Sequence, residues 1–199
     1  SRFQKALQLP EIKNVSGFMR TIRSVKSDSE LAQIRQSARS HAKVYQQISS
    51  LYKPGMTDLE LQIEIEYVMR REGSMGAFRS FGENMDIYMG SLLAGDNAQT
   101  ASPFDYALGG KGIDPLLPLG SANIPLKEGT TIMIDMAGNY TPYYDDMTRT
   151  FSVGDVPDEA HRAHELSISM LNEFSKFVKA GVACSDVYDR AMEMVVEHK

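Results

Sequence analysis

Residues 130–154 read TTIMIDMAGNYTPYYDDMTRTFSVG, and this stretch decides the fold. Thr131, Ile132, Met133 and Ile134 form a β-prone, largely apolar run. Asn139-Tyr140-Thr141-Pro142 supplies turn chemistry, and Tyr143 to Val153 returns as a second strand that closes on Gly154. A turn centred between Tyr140 and Thr141 sets Asp135 directly opposite Asp146, on one face of the hairpin. Side chains paired in this way have Cβ atoms about 4.5–5.5 Å apart. Two carboxylates that close repel unless a positive charge sits between them, and hard cations favour oxygen ligands. Asp135 and Asp146 are therefore candidate metal ligands, and two metals about 3.5–4 Å apart could share them and activate a bridging water. The alternative is a solvated strand end with Asp145 or Asp146 paired to Arg149. Thr148 lies two residues along the strand from Asp146, on the same face. It is a candidate to orient a carboxylate, or else a β-branched residue filling a strand position.

The flanking residues resemble the metal-binding hairpin of the pita-bread metallopeptidases, the family of methionine aminopeptidase, aminopeptidase P, prolidase and creatinase. That pattern is an apolar strand, Asp, a small pair, a turn, Gly-Tyr, two residues, Asp, a β-branched residue, Thr-Arg-Thr and an apolar closure on Gly. Here it appears as Ile132-Met133-Ile134-Asp135, Ala137-Gly138, Pro142-Tyr143, Asp146, Met147, Thr148-Arg149-Thr150 and Phe151 to Gly154. Pro142 replaces the usual Gly and Met147 the usual Ile.

Composition sets the outer limits. The 199 residues suffice for one sizeable domain, and 42% hydrophobic with 24% charged residues is an ordinary globular balance. A net charge of −5 argues against non-specific nucleic-acid binding. One cysteine, Cys184, rules out an internal disulfide framework and fits a reducing, cytoplasmic compartment. No run approaches the ~18 apolar residues of a membrane span, and no signal-peptide core is visible. Ser1 is not an initiator Met and Lys199 falls inside a helical pattern, so the chain reads as part of a longer protein.

Residues 1–25 show weak periodicity and read as a linker or the tail of a preceding domain. Residues 26–199 read as a partial catalytic domain. Ser27 and Glu30 make a capping box for a helix with Leu31, Ile34, Ala38, Ala42, Tyr45, Ile48 and Tyr52 at helical spacing. His41, beside that stripe, reads as a packed or surface residue. Lys53-Pro54-Gly55 ends this helix. Thr57 and Glu60 cap the next, with Leu59, Ile63, Tyr67 and Met69 or Arg70 as its stripe and Gly73 at its C-terminal cap. Glu60, Glu64 and Glu66 read as a solvated face. Short strands are expected at Ala77–Phe81 and Ile87–Leu93. Gly109-Gly110-Lys111-Gly112 lacks phosphate-loop spacing and reads as a surface loop. After the hairpin, Pro157 opens a helix with Leu166, Met170, Phe174 and Phe177 as its buried stripe and His161 and His164 on the surface. Gly181 breaks that helix, and Ser185 caps a last one. A repeat is visible: long helix, Lys53 to Met56, capped helix is echoed as long helix, Lys179 to Val182, capped helix, at an offset of 126 residues from Lys53 to Lys179.

The resemblance implies an α+β pita-bread fold made of two similar halves. This chain would hold the first half with the hairpin, and helices of the second. It implies two divalent metal ions (Mn, Co or Zn) held by two Asp, one His and two Glu. Asp135 and Asp146 match the two Asp, while the Gly-His-Gly motif and the acid/base Glu are expected downstream of Lys199. Gly95-Asp96-Asn97-Ala98 resembles the turn before the substrate pocket, and Leu119 stands where family peptidases carry a pocket His. Asn97 and Leu119 are thus the substrate-pocket candidates. No His occurs between His41 and His161. The implied function is an Xaa-Pro peptidase of the prolidase or aminopeptidase P type, a homodimer acting on short peptides, with no nucleic-acid or membrane partner. The alternatives are a non-catalytic peptide- or protein-binding module and a creatinase-like amidinohydrolase.

Overall fold

The structure, a computed structural model, describes residues 2–8, 11–78, 89–101 and 109–198. In chain order it runs α1 (Arg2–Ala6), α2 (Ser16–Ser24), α3 (Asp28–Tyr45), α4 (Ile48–Leu51), α5 (Asp58–Arg71), β1 (Gly90–Ala94), β2 (Thr131–Gly138), β3 (Asp145–Ser152), α6 (Asp158–Phe177) and α7 (Cys184–Glu197). A 3₁₀ turn, Gly95–Gln99, follows β1. The expected linker at the N-terminus carries α1 and α2, and α2 has no buried residue. No helix among the described residues is long and apolar enough to cross a membrane.

The three strands form one antiparallel sheet in the order β1-β2-β3. In β2, Ile132, Ile134 and Met136 are buried, while Thr131, Met133, Asp135 and Ala137 face the other way and are half-buried. This alternation gives one face to the core and one to the site. The hairpin register differs from expectation: Asp135 lies opposite Thr148, and Asp146 lies opposite Ala137. The turn is centred one residue later than the turn residues alone suggest, because distant side chains hold it. Ser37 Oγ accepts the Thr141 N–H at 3.1 Å and donates to the Tyr143 carbonyl at 2.8 Å. Asn139 Oδ1 accepts from the Ser74 hydroxyl at 2.6 Å, and its Nδ2 donates to the Ala77 carbonyl at 2.7 Å. The partner shifts by two residues, so both aspartates keep the same face.

The α3–α5 layer covers the apolar face. Val44, Tyr45, Ile48, Leu61, Ile65 and Met69 meet Leu92, Ala94, Ile132, Ile134 and Met136 in one buried cluster. Each fully buried aliphatic side chain contributes about 1.5–3 kcal/mol. Both capping boxes form, Ser27 with Glu30 and Thr57 with Glu60. The first helix is not continuous to Tyr52; it breaks at Gln46–Gln47 before α4. Gly73 (φ +99°) closes α5, with its N–H to Arg70 O and that of Ser74 to Met69 O.

The expected stripe on α5 is wrong in phase. Ile63 and Tyr67 are more than half exposed, and the buried face is Asp58, Leu61, Gln62, Ile65 and Met69. Two of those five are polar, which hid the face from a hydrophobicity reading. Both are satisfied: Asp58 accepts the Ala122 and Ile124 N–H groups at 2.9 and 2.8 Å, and Gln62 Oε1 accepts from the Ser121 hydroxyl at 2.6 Å. Ala77 and Phe78 are not in a strand, and residues 79–88 lie outside the described residues. The second expected strand appears as β1.

The repeat is structural. Met56 N–H returns to Lys53 O and Val182 N–H to Lys179 O, each at 3.1 Å. Gly55 (φ +94°) and Gly181 (φ +97°) take the same left-handed conformation. The helices that follow, α5 and α7, are both 14 residues long. Burial does not repeat. No residue of α6 is buried, and in α7 only Met194 is. The stripe expected to be buried on α6 is therefore corrected: Leu166, Met170 and Phe174 are half-buried and Phe177 is exposed, because no sheet among the described residues covers them. The pair is held by its own contacts, including Arg190 of α7 to Glu173 of α6. His161 and His164 are exposed, as expected. Ser185 does not cap α7; Ala183 occupies that position and offers no side-chain acceptor.

Candidate metal centre

The open face of the sheet carries a row of polar side chains. Asp135 stands at its middle, Thr148 directly across on β3 and Ser91 directly across on β1. Thr148 Oγ1 donates to Asp135 Oδ1 at 2.6 Å, so the threonine does orient a carboxylate. Asp146 sits diagonally from Asp135, on the same face of the hairpin. Burial, together with the Asp146 charge, raises the Asp135 pKa above the usual carboxylate range, while the Thr148 hydrogen bond opposes the rise. Arg149 does not pair with Asp145 or Asp146. Its guanidinium turns to the Thr148 carbonyl at 2.7 Å, and no ion pair to these acids is present among the described residues. The solvated ion-pair alternative thus has no support in the geometry.

Asp145 faces the other way. Its Oδ1 lies where a Cβ on Gly138 would come within 2.2 Å, next to the His41 ring. That oxygen is buried without a hydrogen-bond partner among the described residues. Burial, with the adjacent Asp146 charge, pushes the Asp145 carboxyl up to about 6. His41 is fully buried, with Nε2 3.0 Å from Met136 O and Nδ1 3.1 Å from the Tyr140 hydroxyl. Desolvation lowers its pKa, and it serves the core rather than the metal face.

The pocket candidates lie beyond Ser91. Asn97 is buried; its Nδ2 donates to Gly120 O at 2.9 Å and its Oδ1 accepts the Lys111 N–H at 2.8 Å. It ties together the two chain segments at Gly109–Gly112 and Leu117–Gly120. Gly120 (φ +79°) brings its backbone over Ser91, and Leu119 is buried beside it. Asn97 therefore acts as scaffold here, and Leu119 presents no polar atom. The Gly109-to-Gly112 segment is less superficial than expected. Gly109 and Gly110 are buried, and a Cβ on Gly110 would meet Gly120 O at 2.3 Å. Only a residue without a side chain permits that approach. Sequence reasoning missed Ser91 and Tyr45, which look like ordinary strand and helix-stripe residues.

Two neighbouring carboxylates with no ion pair among the described residues, one held by a hydroxyl, form an oxygen donor set that fits a hard or borderline divalent cation. Among the described residues no group of three or more His, Cys, Asp or Glu forms a complete cage. Asp135 and Asp146 would therefore supply part of a coordination shell.

The sequence pattern of metallopeptidase family M24 matches residues 32–199. An uncharacterized peptidase of Staphylococcus saprophyticus is 27% identical over 179 residues, which cover 90% of this chain and 44% of that protein. A probable dipeptidase PepE of Mycobacterium tuberculosis is 22% identical over 181 residues, 90% of this chain and 41% of that protein. The X-Pro aminopeptidase from Thermotoga maritima superposes with a TM-score of 0.74 at 23% identity, covering 98% of this chain and 49% of that one. The prolidase from Pyrococcus horikoshii gives 0.71 at 19% identity, with the same coverage. These superpositions show the pita-bread fold. The chain spans about half the length of the relatives it matches.

Proposed function

The chain belongs to metallopeptidase family M24, and from that premise we propose that the whole protein is a metal-dependent Xaa-Pro peptidase. The observation that carries this reading is the Asp135–Asp146 pair on one hairpin, with Thr148 bound to Asp135 and no ion pair to either acid among the described residues. Asp135 and Asp146 would hold two divalent metal ions (Mn, Co or Zn) together with ligands from other parts of the whole protein. Bound metals of this kind supply Lewis acidity and an activated water for attack on a peptide carbonyl. Thr148 aims Asp135 and opposes the rise that burial gives its pKa, since a hydrogen bond to the charged form favours that form. Residues 26–199 would be a catalytic-domain segment, the substrate a short peptide with proline after the scissile bond, and the protein a cytoplasmic homodimer. The names of the similar X-Pro aminopeptidase, prolidase and dipeptidase support this substrate class.

One observation favours a second reading, a module that binds peptides without cutting them. Leu119 stands at the position of the family's pocket His, it is buried, and leucine can neither donate a hydrogen bond nor take a proton. Elemental analysis of the whole protein after incubation with Mn²⁺, followed by an Xaa-Pro dipeptide assay, separates the two. Bound metal that is lost in Asp135→Ala, with hydrolysis, supports the peptidase. Metal without hydrolysis supports the binding module, and no metal above background overturns both the site and the enzyme.

A further inference from the structure

Behind the two aspartates, a hydroxyl from α3 enters the sheet. Met136 and Met147 are directly opposite in the β2–β3 register. The Ala137 N–H turns to β1, where it meets Met89 O at 2.7 Å, so by strand alternation the Met136 N–H faces β3. In a plain ladder it would donate straight to Met147 O. The Tyr45 hydroxyl bridges these same two groups: the Met136 N–H donates to it at 3.2 Å, and it donates toward Met147 O and toward Ile134 O, the latter at 3.1 Å. The peptide groups on both sides of Asp135 therefore meet one oxygen. So does the Met147 carbonyl, which lies between Asp146 and Thr148. The Tyr45 ring is braced edge-on against His41, with centroids 5.0 Å apart, and His41 Nε2 holds Met136 O. The tyrosine is 7% exposed, so no solvent substitutes for its hydroxyl. At the same place in the repeat, offset by 126 residues, stands Leu171, which has no hydroxyl and is 68% exposed.

We propose that Tyr45 is a positioning residue for the metal pair, its hydroxyl acting as a bridge that sets how far apart the hairpin holds Asp135 and Asp146. This rests on the reading of those two aspartates as metal ligands. Without the hydroxyl, the bridge to the backbone on both sides of Asp135 and to the Met147 carbonyl is lost, and both carboxylates move. A residue that fixes a ligand from behind typically changes metal affinity roughly 10- to 100-fold.

The test compares the whole protein with Tyr45→Phe and Tyr143→Phe. Tyr143→Phe removes another tyrosine hydroxyl bond between α3 and the hairpin, the one to Glu30 at the turn end, and controls for a merely structural loss. Two readouts are taken: the ¹³C carboxyl resonances of Asp135 and Asp146 in metal-free protein, and Mn²⁺ affinity by electron paramagnetic resonance. Tyr45→Phe is expected to shift both carboxyl resonances and to weaken Mn²⁺ binding at least about tenfold. Tyr143→Phe is expected to leave both readouts in place. Carboxyl resonances in Tyr45→Phe that superimpose on the parent's overturn the proposal, as do equal Mn²⁺ affinities. If the parent binds no Mn²⁺, the metal reading fails, and the carboxyl resonances alone decide the positioning role. If Tyr45→Phe does not fold, 3-fluorotyrosine at position 45 keeps ring and hydroxyl while weakening the oxygen as an acceptor. Displaced carboxyl resonances in that protein support the bridge, and unchanged ones overturn it.

Discussion

The α3–α5 pair and the α6–α7 pair share a turn, a left-handed glycine and a 14-residue second helix, yet one is buried and the other is not. In the first pair Tyr45 is 7% exposed; its counterpart Leu171 in the second is 68% exposed. Gln62 is 4% exposed and its counterpart Tyr188 is 65% exposed. The turn and helix length are local properties, set by Gly55 and Gly181. Burial is supplied by the strands, and only the first pair has β1–β3 against it. A helix pair can thus be copied in sequence while its stability comes from what lies across it.

Core truncations break this contrast most strongly. In the 199-residue chain, Ile65→Ala, which truncates a side chain fully buried under the sheet, should cost about 2–5 kcal/mol, whereas Leu171→Ala should stay within about 0.5 kcal/mol. Urea denaturation of the two variants checks this, and equal losses would mean that α6–α7 is packed as tightly as α3–α5. Next comes Asp58→Ala. It strands the Ala122 and Ile124 N–H groups and should cost about 2–3 kcal/mol by the same assay, while Cys184→Ala at the matching position should be near neutral.

Helix starts sharpen the comparison at smaller scale. Thr57 caps α5, but Ala183 cannot cap α7. Thr57→Ala should lose about 1 kcal/mol, and Ala183→Ser should gain up to about 1 kcal/mol, measured as opposite shifts in Tm. The smallest effect concerns Glu30, which takes the Ser27 N–H and the Tyr143 hydroxyl and has its pKa lowered from 4.5 to about 2. A carboxyl with a depressed folded-state pKa stabilises the fold above its ordinary pKa. That contribution fades as pH falls from about 4.5 through about 2. Stability against pH should therefore drop in that window in the parent and less so in Glu30→Gln.

Much of the fold was legible in local signals. The hairpin, both capping boxes, the glycine after α5 and the repeat each rest on residues close in sequence. What escaped was set at long range. The register moved by two because Ser37 and Asn139 fix the turn from α3 and the Ser74–Ala77 segment. The buried face of α5 was misread because Asp58 and Gln62 find partners near residues 121–124, which periodicity cannot reveal. At the site, the two aspartates and Thr148 were legible from strand alternation. The bridging Tyr45 hydroxyl was not, since a tyrosine on an apolar helix stripe looks like any other core residue.

The central claim is that Asp135 and Asp146 are metal ligands, and the most direct test is anomalous diffraction from crystals of the whole protein grown with Mn²⁺. The account expects an anomalous peak about 2.0–2.6 Å from oxygens of both carboxylates, absent in Asp135→Asn. A map with no peak at the hairpin, or one bound elsewhere and indifferent to Asp135→Asn, would contradict it.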